Sequence, residues 1–184
     1  MSRTSGWTLA AAAVSLAVAL AGCGENGPRQ PGGEVKRESK AGGGERATAT
    51  LFFPGSGETL VKEERDLPAG ELEDRIRAIV LALLDGPEGS EGKPILPDDV
   101  TLTGVYLGAS GVAFLDLHRP DNGPPPPMGS LQETLLAYSL VNSVALNVPE
   151  VERVSLLWNG VQRPSLAGHL DNAGPLEPRP QLAR

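Results

Sequence analysis

The spacing of apolar residues changes along the chain, and these changes predict a mixture of helices and strands. Apolar residues recur every three or four positions over residues 72–84 and 131–145, which is the spacing of one face of an α-helix. The first helix is predicted to end at Asp85-Gly86-Pro87, because glycine suits a left-handed terminus and proline cannot continue a helix. The second is predicted to begin with a capping box formed by Ser130 and Glu133.

Segments rich in β-branched and aromatic residues alternate with turn signals and predict strands. Residues 47–53 and 59–65 flank a Pro-Gly-Ser-Gly turn and should form a hairpin. The other predicted strands cover residues 100–107, 112–117, 151–158 and 161–163. A bulge is expected near Gly104, since the apolar residues before and after it fall on opposite parity. This order of elements predicts an α+β fold, in which two helices pack on one face of a mainly antiparallel sheet and a β-hairpin precedes them.

The composition at both ends of the chain differs from that of the predicted domain. Residues 24–46 are rich in Gly, Pro and charged residues, and Val35 is their only sizeable apolar residue. Such a segment buries too little apolar surface to offset the entropy of ordering, so a flexible linker with a reach of about 25 to 30 Å is predicted. The proline-rich residues 177–184 are predicted to form a disordered tail. One folded domain is therefore expected over residues 47–176.

The single cysteine of the chain, Cys23, follows an apolar run that ends in Leu20-Ala21-Gly22. The run from Trp7 to Ala21 is too short to span a bilayer as a helix, so residues 1–22 are predicted to be a cleaved signal peptide. The pattern resembles the bacterial lipobox, and this resemblance implies cleavage before Cys23 and a thioether lipid on its sulfur. An ordinary secretory signal is the alternative. A lipid anchor would hold the protein at the cell membrane or outer membrane, on the extracytoplasmic side.

The charge of the chain narrows the choice of partner. Its 16 Lys and Arg residues stand against 23 Asp and Glu residues, which gives a formal net charge of −7. This is the wrong sign for sequence-independent attraction to the phosphates of nucleic acid or to anionic lipid. We therefore expect no nucleic acid partner. The expected partners are the membrane, through the lipid on Cys23, and either an envelope protein or a second copy of this chain.

Two pairs of potential metal ligands are the strongest candidates for chemistry. Asp116 and His118 are two residues apart, as are His169 and Asp171, and together they could bind zinc if the fold brought them together. In the simpler interpretation, Asp116 is a polar residue at a hairpin end and His169 is a structural histidine bonded to nearby backbone. The sequence contains no Gly-x-Ser-x-Gly motif, which would present a nucleophilic serine on a sharp turn. It also contains no glycine-rich loop of the kind that binds phosphate.

The sequence therefore predicts a protein that is not an enzyme and has no cofactor. Two alternatives stay open. One is a metal-dependent envelope hydrolase that uses His118 and His169. The other is a binding protein for a small glycan or lipid, which would require a sizeable apolar cavity between the helices and the sheet.

Several turn and core segments, taken in order, resemble the GerMN domain, a family named for the sporulation and germination protein GerM. They are Leu83-Leu84-Asp85-Gly86-Pro87, Gly129-Ser130 leading into Leu140-Val141-Asn142-Ser143, Val151 to Gly160, and Leu166-Ala167-Gly168-His169 through Gly174-Pro175-Leu176. The resemblance covers residues 47–176 and implies a helix-strand-strand-helix-strand core similar to ring-building motifs. It also implies an assembly module in an extracytoplasmic lipoprotein. The family member found in spore-forming bacteria has two copies of the domain, whereas this sequence shows one.

Overall fold

A computed structural model describes residues 45–184 of the chain. The elements in this part are β1 (Arg46–Pro54), β2 (Leu60–Pro68), α1 (Leu72–Leu84), β3 (Thr101–Leu107), β4 (Val112–His118), α2 (Ser130–Ala145), β5 (Arg153–Trp158), β6 (Val161–Gln162) and a 3₁₀ turn at Pro180–Leu182. Each predicted helix and strand is present, and the bounds differ from the predictions by at most three residues. The predicted α+β class is confirmed.

The strands form two sheets. β1 and β2 make an antiparallel hairpin, and the other sheet has the order β3-β4-β5-β6. In the four-stranded sheet β3 and β4 are antiparallel, β4 and β5 are parallel, and β5 and β6 are antiparallel. Helix α2 makes the crossover that a parallel pair requires. The register shifts between Leu102 and Gly104, which confirms the predicted bulge.

Both helices pack against one face of the four-stranded sheet. That face presents Ala113, Leu115 and Leu117 from β4 and Val154, Leu156 and Trp158 from β5, and these side chains join the helices in one core. The alternate residues of the same strands, including Phe114 and Leu157, lie outside this core. The hairpin adds a further layer, because β1 packs on α2. As a result, all residues of α2 from Leu135 to Val144 are buried.

Polar side chains at the C-terminal end of α2 and just after it complete the hydrogen bonding of β1. Asn147, just after the helix, accepts the N–H of Thr50 at 2.8 Å and donates to the Thr50 carbonyl at 2.7 Å. The hydroxyl of Ser143 accepts the N–H of Phe52 at 2.9 Å. An unpaired strand edge is a template for pairing with another chain, and the helix blocks that pairing along this part of β1.

The C-terminal segment is ordered, in contrast to the predicted disordered tail over residues 177–184. The N–H of Arg179 donates to the Asn142 side chain at 2.7 Å, and the Asn142 amide donates to the Arg179 carbonyl at 2.9 Å. Further on, Ala183 forms a bridge with Leu60, and the N–H of Arg184 donates to the Leu60 carbonyl at 3.0 Å. The folded unit thus extends beyond residue 176.

Candidate functional site

An open apolar groove of about 640 Å³ lies at the end of the domain where α2 begins. Four segments form its walls: the β1–β2 turn at residues 54–58, residues 93–97, Pro126–Met128 and the first turns of α2. Ile95 and Leu96 are buried, whereas Leu131 on α2 keeps 42% of its surface exposed. Glu58 and Lys93 supply charge at the exposed border. The groove therefore combines an accessible apolar side chain with a polar rim.

Backbone and side-chain hydrogen bonds hold the groove walls together. The N–H of Lys93 donates to the Pro54 carbonyl at 2.9 Å and joins residues 93–97 to the hairpin. At the start of α2, Gly129 is the N-cap residue, and its N–H donates to the side chain of Gln132 at 3.2 Å. The predicted capping box of Ser130 and Glu133 is therefore wrong by one residue. Glycine has no side chain to return a bond, so only half of the motif is present.

The loop that leads from α1 to the groove rests on two charged residues of β2. The carboxylate of Glu63 accepts the N–H groups of Glu88 and Gly89 at 3.0 to 3.2 Å. Arg65 donates to the carbonyls of Ala82 at 3.1 Å and Gly86 at 2.7 Å, at the C-terminal end of α1. Burial acts to raise the pKa of Glu63, but the two N–H groups and Arg65 outweigh burial and lower the pKa. The charged carboxylate is thus the form that holds the loop.

The groove lies far from the point at which the chain enters the domain. β1 begins at Arg46 and ends at Pro54 beside the groove. A strand of 9 residues spans about 30 Å. The start of β1, where the described part of the chain begins, therefore lies at the opposite end of the strand from the groove. Cys23, the predicted signal peptide and all but the last residues of the predicted linker lie outside the described residues.

A second polar cluster is centred on Glu133, which is completely buried in α2. One carboxylate oxygen accepts the Ser165 hydroxyl at 2.6 Å and the N–H groups of Leu166 and Ala167 at 3.0 and 2.9 Å. The other oxygen accepts the His169 N–H at 2.8 Å and faces Nδ1 of the same residue at 3.1 Å. The carboxylate thereby holds the turn of residues 165–169 against the helix.

These contacts make Glu133 a stable anion. Burial acts to raise its pKa, but the Ala167 N–H, the Ser165 hydroxyl and the two groups of His169 more than compensate and lower the pKa to about 2. A carboxylate with such a low pKa is a poor general base at neutral pH. The Ser165 hydroxyl donates directly to Glu133, whereas a catalytic serine donates to a histidine that the acid orients. The arrangement fixes a turn and does not activate a nucleophile.

The structure does not assemble a metal site from the Asp and His residues whose spacing suggests zinc ligands. Asp116 accepts the N–H of Gly160 at 2.8 Å, and Asp171 accepts the N–H of Ala173 at 2.9 Å. His169 is engaged with Glu133, so it is structural, although its partner is a carboxylate and not backbone. Within residues 45–184, no group of three or more His, Cys, Asp and Glu side chains is placed to hold a metal ion. His118 and His169 thus do not share a zinc centre here.

Sequence reasoning missed the groove. The strongest available signal was Ile95-Leu96, an apolar pair between two prolines and outside every predicted element. Apolar residues in a loop indicate that the loop packs on something, but they do not say on what. In the part of the chain that the structure covers, no helix is both long and apolar enough to cross a bilayer.

Comparison with known proteins identifies the fold. A sequence model of the Germane family, described as sporulation and spore germination, matches residues 50–163. A candidate lipoprotein from Clostridium perfringens superposes with a TM-score of 0.52 at 20% identity, over 72% of this chain and 87% of that one. The first GerMN domain of the sporulation protein GerM from Bacillus subtilis gives 0.54 at 16% identity, over 71% of this chain and 97% of that domain.

The tandem GerMN domains of the same Bacillus subtilis protein give a TM-score of 0.54 at 17% identity. That match covers 72% of this chain and 46% of the tandem structure, so this chain spans about half its length. No curated protein matches this sequence. At these identities the structural likeness establishes a shared fold. Because the family match extends from β1 through β6, the chain belongs to the Germane family and its domain is of the GerMN type.

Proposed function

We propose that this protein is a lipid-anchored, non-catalytic assembly module of the bacterial cell envelope, which docks an apolar segment of another envelope protein into the groove beside α2. Acylated Cys23 would hold it on the extracytoplasmic side of the cell membrane or outer membrane. The family relationship suggests a sporulation or germination complex as one setting. The observation that carries the proposal is the groove itself, with the exposed side chain of Leu131 in its lining.

The chemistry of the groove favours a protein partner. Apolar residues form its floor and Glu58 and Lys93 lie at its border, an arrangement that protein interfaces share. A large apolar side chain is exposed to water in the free domain, and its burial by a partner stabilises the complex. None of the groove-lining residues is aromatic, so the site lacks the rings on which a sugar would stack. A glycan is therefore the less suitable occupant.

The position of the groove favours a partner away from the anchor. The chain enters at one end of β1 and the groove lies at the other, about 30 Å away. A domain tethered through residues 23–46 can thus present the groove outward. Its net negative charge also opposes close contact with anionic headgroups.

Changing Leu131 to Glu should abolish capture of the partner. The substitution would place a charge in the apolar lining of the groove, and we expect a loss of about tenfold or more in captured partner. The matched control is Leu81→Glu, because Leu81 is a helix residue of nearly equal exposure, 43% against 42%, and does not line the groove. Crosslinking in membranes, followed by identification of the captured protein, provides the measurement. Equal capture by the two variants would refute docking at the groove.

The anchor requires a separate test. Mass spectrometry of the mature protein from its native host should find acyl groups on an N-terminal Cys23, and Cys23→Ser should move the protein from the membrane fraction to the soluble fraction. Domain folding should not change, since the contacts that hold the domain are made among residues 45–184. An unmodified thiol, or a serine variant that stays in the membrane fraction, would exclude the lipid anchor.

A small apolar ligand is a second candidate occupant. The groove volume of about 640 Å³ falls within the range of roughly 300 to 1,000 Å³ that small-molecule sites occupy. Native mass spectrometry of the purified protein separates the two candidates. A stoichiometric small molecule that is lost in Leu131→Glu and kept in Leu81→Glu would favour a ligand over a protein partner.

A further inference from the structure

The chain contains three Asn-Gly pairs. Asn26-Gly27 lies outside the described residues, and the two pairs within residues 45–184 share two backbone features. Asn122 and Asn159 both have positive φ, 53° and 52°. The N–H of Gly123 donates to the Asp121 carboxylate at 2.9 Å, and the N–H of Gly160 donates to the Asp116 carboxylate at 2.8 Å. The nitrogen of each glycine thus donates to a carboxylate, that of the neighbouring Asp121 in one pair and that of Asp116 on β4 in the other. The two pairs form a matched comparison within one molecule.

The two asparagine side chains, by contrast, differ. The oxygen of the Asn159 amide accepts the N–H of Arg119 at 3.3 Å, and its nitrogen donates to the Gly123 carbonyl at 3.1 Å. Asn159 is also half-buried. Asn122 is exposed, and its side chain makes no hydrogen bond to any residue of the described part of the chain. One amide is held at both ends and the other is free to rotate.

This difference matters for deamidation. In that reaction the glycine nitrogen attacks the side-chain carbonyl carbon of asparagine, the N–H proton passes to solvent hydroxide, and the amide nitrogen leaves as ammonia. Water then opens the cyclic imide at either carbonyl and yields aspartate or isoaspartate. Glycine favours the attack because it has no Cβ to obstruct it. The side chain must rotate toward the backbone, so hydrogen bonds that hold the amide oppose the reaction.

We propose that Asn122 is the Asn-Gly site within residues 45–184 that deamidates first in the folded domain, and that its reaction then makes Asn159 reactive. The second step follows from Gly123, whose carbonyl accepts both Nδ2 of Asn159 and Nε1 of Trp158, the latter at 2.9 Å. Isoaspartate at position 122 adds one methylene to the backbone directly before Gly123 and displaces that carbonyl. Asn159 thereby loses one of its two restraints. The same loop continues into Pro126–Met128, which form a wall of the groove.

The test compares the two sites by peptide mapping during incubation at mildly alkaline pH, with isoaspartate methyltransferase labelling of the separated peptides as a second readout that excludes Asn26-Gly27. In the folded protein Asn122 should react roughly tenfold or more faster than Asn159, because two hydrogen bonds must open first at Asn159. In urea both sites should react at rates within about twofold, since unfolding removes the restraints. Equal rates in the folded protein, or faster reaction at Asn159, would overturn the assignment.

A variant tests the coupling. Asn122→Gln removes the reactive site, because glutamine would have to close a larger ring. Asn159 in this variant should then stay unreacted over the period in which it reacts in the wild-type chain. Reaction of Asn159 on the wild-type schedule in Asn122→Gln would refute the sequential step. The domain should stay folded, since the Asn122 side chain makes no hydrogen bond in the described structure.

Discussion

Replacing Glu133 with glutamine is expected to lower the free energy of unfolding by about 3 kcal/mol at neutral pH. The buried carboxylate accepts three backbone N–H groups and the Ser165 hydroxyl, and it faces Nδ1 of His169. A glutamine side chain would place an NH₂ group where donors already point, and so leave buried donors without acceptors. The magnitude follows from the lowered pKa of about 2 against an ordinary value of 4.5.

Urea unfolding of the two proteins provides the measurement, and Glu150→Gln is a matched control. Glu150 is an exposed carboxylate that pairs with Arg75 at 2.9 Å, and surface pairs of this kind contribute little to stability. The control should therefore unfold close to the wild-type midpoint. An equally small effect of Glu133→Gln would show that the turn of residues 165–169 does not depend on the carboxylate.

The same contacts determine how stability should respond to acid. The pKa of Glu133 in the folded state lies below its ordinary value of 4.5, at about 2. The stabilising contribution is therefore complete above pH 4.5 and is lost as the pH falls toward 2. The difference in stability between the wild-type chain and Glu133→Gln should shrink across this window. A difference that stays constant down to pH 2 would contradict the assignment to this carboxylate.

Removal of residues 177–184 should cost about 3 to 5 kcal/mol, although the composition of this segment predicts a disordered tail. The cost has three sources. Asn142 is fully buried and would lose both hydrogen bonds to Arg179. The cation–π contact between the Arg179 guanidinium and the Tyr138 ring, 4.7 Å from the ring centroid, would be lost. Leu182 and Ala183 would no longer pack against the core.

A double-mutant cycle separates a specific contact from a general effect of shortening. Asn142→Ala should destabilise the full chain by about 2 kcal/mol and the truncated chain by much less, since the partner of Asn142 is then already gone. Denaturant midpoints of the four proteins give the coupling energy. If truncation is neutral and the coupling is near zero, the tail does not contribute to stability. If truncation prevents folding, Asn142→Ala still reports the contact in the full chain.

Local patterns in the sequence were sufficient for most of the fold. Both ends of helix α1 agree with the prediction, because apolar residues recur with helical spacing from Leu72 to Leu84 and Gly86-Pro87 stops the helix. The bulge at Gly104 followed from a change of parity between neighbouring apolar residues. These signals lie within a few residues of the feature they predict, and the backbone responds to them directly. The family resemblance was carried by similar short segments.

The candidate sites could not be predicted in this way. The groove combines residues as far apart in sequence as Pro54 and Leu135, and the cluster around Glu133 joins a helix to residues more than thirty positions later. Glu133 was predicted to cap its own helix because the only neighbours visible in a sequence are local. In the fold its side chain reaches the turn at residues 165–169, where several N–H groups converge.

The amino-acid sequence alone determined where helices and strands form, how acidic the chain is, and where its single cysteine lies, since each depends on composition or on short-range spacing. Tertiary structure decided which polar groups are satisfied and which apolar groups stay exposed. It ordered a tail that its composition marks as disordered, because Asn142 and Leu60 supply partners that residues 177–184 lack among themselves. It also gave the asparagines of two Asn-Gly pairs different surroundings, so that the side chain of Asn159 is held by hydrogen bonds and that of Asn122 is not. Such differences arise from contacts between distant segments, and these exist only after the chain has folded.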